Sequence, residues 1–124
     1  MIRWLVLGLI CMANVGQAEQ TTVTANATDA TGGVVRVLDK TSGTTVDLEL
    51  QRGQTGAMGA LTVTLDGCRY PTENPSGDAF EHLTIHYRDA PDPVFSGWMV
   101  ASSPALNAMD HPRYDVWALR CSTS

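Results

Sequence analysis

The densest set of chemically capable side chains lies in one run, FSGWMVASSPALNAMDHPRYDVWALRC, from Phe95 to Cys121. Ser102 and Ser103, with His111 and Asp110 or Asp115, supply the residue types of a hydrolase triad. A working triad needs its base within about 3 Å of the nucleophile and donors aimed at the developing oxyanion. The run contains no Gly-x-Ser-x-Gly elbow, and Ser103 has another use as the cap of a short helix. Asp115 stands among apolar neighbours in YDVW, so on burial it would need Arg113, Arg120 or the backbone donors of the Ser102–Ser103 turn as a partner. Trp98, Ser102, Ser103, His111, Tyr114 and Asp115 are accordingly read as a candidate interaction surface, with no catalytic residue assigned.

Two other sets invite a metal-site reading. His82 and His86 are four apart, a ligand spacing on a helix, but they sit in HLTIHY, whose alternation and β-branched Thr84 and Ile85 specify a strand. At about 3.3 Å per residue a strand holds them roughly 13 Å apart, too far for one ordinary metal ion. Asp47 with Glu49 and Asp89 with Asp92 lack the ligand count of a calcium loop. No cofactor or metal is therefore assigned. Tyr70, Tyr87, Trp98, Tyr114 and Trp117 are numerous enough for an aromatic platform, although tryptophans in the strands of a small sandwich are expected in its core.

The elements that must position these residues are strands. VVRVLD from Val34 and TTVDLEL from Thr44 form a hairpin through KTSG, with Val46, Leu48 and Leu50 opposed to Asp47 and Glu49. A Gly-rich connection, Gly53 to Gly59, leads to ALTVTLDGC, where strict alternation would turn Cys68 away from Leu61, Val63 and Leu65. Gly67 marks a bulge that re-aims it. RYPTENPSGD, Arg69 to Asp78, reads as a surface loop. HLTIHY, VFSGWMVA and YDVWALRC complete the strands, with a short helix from Pro104 between the last two, stopped before Pro112. The expectation is an all-β domain: a small antiparallel β-sandwich or partly open barrel of six to seven strands with one short helix and one disulfide.

Residues 1–18, MIRWLVLGLICMANVGQA, combine a basic start, a short apolar run and a small-x-small end. They read as a signal peptide cleaved after Ala18, placing the mature chain in the periplasm with no transmembrane segment. Residues 19–33 read as a flexible leader, 34–121 as a single β domain and 122–124 as a tail. Cleavage leaves Cys68 and Cys121, an even pair in an oxidising compartment, and they are expected to form a disulfide. Of the charged residues it removes only Arg3, so the net charge moves from −5 to −6. With the remaining arginines scattered, nucleic acid is excluded as a partner.

VLDKTSG, GCRYP and above all the Phe95–Cys121 run resemble the proteobacterial domain-of-unknown-function family number 2155, whose pattern is met at Phe95–Met99, Ala101–Leu106, His111–Pro112, Tyr114–Trp117 and Cys121. The resemblance implies an exported protein with two cysteines, no assigned activity, and genes near an accessory subunit of respiratory complex I. The functional expectation is a non-enzymatic protein-interaction or assembly module of the envelope, with a protein partner such as an inner-membrane complex. The alternatives are a small-ligand or saccharide-binding module using an aromatic surface and, last, a hydrolase on the Ser102–Asp115 segment.

Overall fold

The structure is a computed structural model that describes residues 26–123. Residues 1–25, which hold the expected signal peptide and the first seven residues of the expected leader, lie outside the described residues. The strands are β1 (Ala27–Asp29), β2 (Gly32–Asp39), β3 (Thr44–Gln51), β4 (Thr55–Met58), β5 (Leu61–Pro71), β6 (Phe80–Tyr87), β7 (Phe95–Val100) and β8 (Tyr114–Ser122). All pairings are antiparallel. One sheet runs β1-β5-β6-β7 with β4 also on β5, and the other runs β3-β2-β8.

The two sheets face each other as a sandwich rather than closing into a barrel. Val35 and Val37 from one sheet and Leu61, Val63, Leu65, Leu83 and Ile85 from the other are fully buried between them. The hairpin β2–β3 turns through Lys40–Gly43, where Gly43 takes a positive φ of 74° that other residues resist. The Asp39 carboxylate accepts hydrogen bonds from the Thr41 amide and hydroxyl inside this turn. Those bonds, the hydroxyl's foremost, and Arg113 hold Asp39 down at about 2.

The sequence reading misses two strands, for a shared reason. The eleven-residue β5 offers a long free edge, and unpaired backbone groups on an edge need partners. β4, inside the expected Gly-rich connection, pairs Leu61–Thr64, and β1, inside the expected leader, pairs Arg69–Pro71. Eight strands therefore replace six to seven. The leader's last residues also belong to the fold: Gly32 and Gly33 open β2 and are buried. The short helix is a single 3-10 turn, Pro104–Leu106, and Ser103 makes no side-chain cap.

Two bulges decide the core's lower end. In β5, Leu65 pairs Leu83 and Gly67 pairs His82, so Asp66 is the extra residue. In β8, Ala118 pairs Val35 and Arg120 pairs Val34, so Leu119 is the extra residue. Each insertion reverses the alternation just ahead of a cysteine, and both Cys68 and Cys121 turn inward, 5.7 Å apart at Cα, to form the disulfide. The bulge expected beside Gly67 is thus present.

Candidate functional site

The outer face of the larger sheet carries Thr62, Thr64, His82, Thr84, His86, Ser96 and Trp98 by strand alternation and register. Asp66, aimed outward by its bulge, accepts a hydrogen bond from the Thr84 hydroxyl at 2.6 Å and bonds His82 Nδ1 at 2.8 Å. Both contacts use Oδ2, so Oδ1 takes no partner among the described residues. The His82 ring then meets the Trp98 indole edge to face, with centroids 5.2 Å apart and planes at 85°. A chain of contacts Thr84–Asp66–His82–Trp98 fixes an indole that remains 44% exposed.

Two concavities share Trp98 in their lining. One, of about 510 Å³, is lined by Asp29, Arg52, Asp66, Arg69 and His82. The other, of about 240 Å³, is lined by Ala27 and Phe80, with Arg69 and Trp98 common to both. Arg69 is committed to Asp29 at 3.0 Å and to the Ala27 carbonyl. Arg52 sits at the β3–β4 turn, where Gly53 has φ 84°, and its guanidinium makes no ion pair among the described residues. Among the described residues the site therefore offers an aromatic face, unpartnered carboxylate oxygens on Asp66 and Asp29, and the unpaired guanidinium of Arg52.

The residues singled out in the Phe95–Cys121 run do not converge. Ser102 donates to Asp78 Oδ2 at 2.6 Å through its hydroxyl and to Oδ1 at 3.0 Å through its amide, which fixes the corner before β6. His111 lies at the far end of β6, its ring 4.6 Å from that of Tyr87. Phe80 and Tyr87 are seven residues apart on that strand, roughly 23 Å at about 3.3 Å per residue, so no serine–histidine pair is assembled. The His111 Nδ1 instead accepts the backbone N–H groups of Arg113 and Tyr114, and its carbonyl accepts Lys40 Nζ at 2.6 Å.

Tyr114 is wholly buried, and its hydroxyl accepts the Ala60 amide at 3.2 Å. His111 and Tyr114 thus belong to the interior and not to a surface. Asp115 is half-buried on the outer face and pairs with Lys40 at 3.8 Å rather than with an arginine. Both described tryptophans, Trp98 and Trp117, are outside the core as well. Trp117 is half-buried on the outer face of the smaller sheet, in register with Arg36, which is bidentate to Asp47. No single aromatic platform forms.

Sequence reasoning found Trp98 and placed His82 and His86 on a polar face, but missed Arg52, Asp66 and Arg69. Nothing in the spacing ties a turn arginine to a tryptophan forty-six residues on; only the Asp-Gly bulge signal pointed to Asp66. It also passed over Glu81, which alternates in phase with Leu83 and Ile85 and is fully buried. Neither carboxyl oxygen reaches a hydrogen bond of ordinary geometry. Burial pushes Glu81 up to about 8, only partly opposed by the nearby amide of the bulged Leu119.

Among the described residues no helix is long and apolar enough to cross a membrane. A family model described as "Uncharacterized protein conserved in bacteria (DUF2155)" matches residues 33–121. The chain is 31% identical over 94 residues to the uncharacterized protein RP359 of Rickettsia prowazekii (strain Madrid E), covering 73% of this chain and 61% of that protein. It therefore spans less than two thirds of the length of the relative it matches. No solved structure matches it.

Proposed function

The chain belongs to the bacterial family of uncharacterized proteins DUF2155, whose description assigns no activity, and we propose that it is an exported envelope module that acts by binding rather than by catalysis. The observation that carries this reading is Trp98: a large aromatic held in a fixed orientation by Asp66 and His82, yet 44% exposed in the lining of two grooves. A large aromatic held rigid before a partner arrives loses little entropy on binding, and aromatic anchors carry much of the energy of interfaces. Export is supported by the three-part pattern of residues 1–18 and by a disulfide of the kind that oxidising compartments permit.

A second reading, docking onto another envelope protein such as a subunit of an inner-membrane complex, is favoured by Leu106. It is 75% exposed on the turn after β7, next to Asn107, whose side-chain amide donates to the Trp98 carbonyl at 2.9 Å. Both readings are tested by a photocrosslinking residue in place of Ser96, beside Trp98, in the protein's own host. The expected adduct is an envelope component, absent when the probe replaces Glu49 on the other sheet and lost with Trp98→Ala. No adduct from Ser96, or equal adducts from both positions, would remove the binding role from this face.

A further inference from the structure

We propose that the groove beside Trp98 is a saccharide subsite for an N-acetylated hexosamine, whose ring stacks on the indole, whose hydroxyls meet Asp66 and Arg52, and whose acyl group enters the apolar pocket at Phe80. The proposal rests on the binding-module reading above and names its ligand. A pyranose has one face of C–H groups and an equator of hydroxyls that both donate and accept. It needs an aromatic surface bordered by planar polar groups, with few groups placed to fix its orientation. The exposed indole supplies the surface. Asp66 Oδ1 is an open acceptor, because both of its carboxylate's bonds among the described residues fall on Oδ2. Arg52, in the lining of the same groove, has no ion pair among the described residues and is a donor fork open to a ligand.

Other ligand chemistries fit less well. Asp29 and Asp66 put two carboxylates into the same groove as Arg52 and Arg69, so a compact anion meets no net positive field. A nucleic acid would have to approach a chain carrying a net charge of −5. A wholly apolar segment would leave Asp66 and Arg52 desolvated without partners. A saccharide satisfies both, and its ring fits a groove of about 510 Å³. The second pocket, about 240 Å³ and walled by Ala27 and Phe80, shares Trp98 and Arg69 with the first and has the size and apolarity for an acetyl methyl group.

The test is titration of the disulfide-intact protein, lacking residues 1–18, with N,N′-diacetylchitobiose, followed by tryptophan fluorescence and calorimetry. Saturable binding is expected, weakened about tenfold or more by Trp98→Ala and by Arg52→Ala, and unchanged by Trp117→Ala. Arg52 lies on an exposed turn, so its variant keeps the wild-type unfolding midpoint even if Trp98→Ala does not. Binding that survives both substitutions, or no saturable binding at all, overturns the proposal. Maltose, which lacks the acyl group, is expected to bind about tenfold weaker, and equal affinity would overturn the acetyl assignment. If chitobiose fails while the Ser96 crosslink persists, the saccharide falls and the binding role stands; if both fail, both fall.

Discussion

Cys68 and Glu81 are paired across β5 and β6, so a buried carboxyl without a hydrogen bond lies beside the disulfide. Directly opposed residues on one face have Cβ atoms about 5 Å apart, and Met99 flanks Glu81 from the other neighbouring strand. Raised to about 8, the carboxyl is protonated in the folded state where it is ionised in the unfolded chain. The folded state then holds the extra proton between the two pKa values, so stability falls as pH rises from the usual glutamate range through about 8. The loss is on the order of a few kcal/mol. Urea midpoints at about pH 5 and about pH 9 should show a drop in the parent and a much smaller one in Glu81→Gln. A flat profile in the parent would show that the carboxyl is not the neutral group described.

The disulfide closes a separation of 53 residues and ties β5 to β8 across the sandwich. In the chain-entropy model such a loop is worth ~4 kcal/mol, a large share of a small domain's stability. Replacing both cysteines by serine should lower the urea midpoint accordingly. A change under about 1 kcal/mol would mean that the packed sheets alone hold this end together.

Gly33 is opposite Cys121, and a Cβ built on it would stand 3.0 Å from Cys68 Sγ and 3.1 Å from the Arg120 carbonyl oxygen. One of the two contacts is backbone and cannot swing aside. Gly33→Ala should therefore destabilise the domain by about 1–3 kcal/mol, as overpacking does. Gly67→Ala, with nothing within 4 Å of its Cβ position, is the control that thermal unfolding should find nearly unchanged.

The contrast between these glycines also marks what the sequence could and could not reveal. Alternation disclosed the phase of β3, β5 and β6, and the break in phase at Gly67 disclosed a bulge, because a period of two is visible in a single strand. The pairing of strands is not. β1 and β4 exist because β5 is long enough to need two partners on one edge, a fact of topology rather than of local pattern. The same holds for the site. Trp98 is apparent as a tryptophan, but its exposure follows from the register that sets it beside His82, on the outer face. Arg52 reaches the groove only through the fold. Tyr114 looked like surface because Tyr-Asp-Val-Trp alternates in either phase, and the smaller Val116 and Ala118 turned out to share its inward face.

Asp66 holds Trp98 at one remove, through His82, and this positioning can be separated from any contribution to stability. Asp66, His82 and Thr84 are all partly exposed, and ion pairs in such settings contribute about 0–1 kcal/mol. Asp66→Ala should therefore shift the unfolding midpoint little. It removes the acceptor for both His82 Nδ1 and the Thr84 hydroxyl, which frees the imidazole that braces the indole. The expected result is lower tryptophan fluorescence anisotropy and a weaker near-ultraviolet circular dichroism signal, with far-ultraviolet spectra unchanged. Trp117→Phe in the same background assigns the change to Trp98. An indole as ordered in Asp66→Ala as in the parent would locate the bracing elsewhere and deprive the bulge in β5 of its role in the site. The bulge would then serve only to turn Cys68 inward.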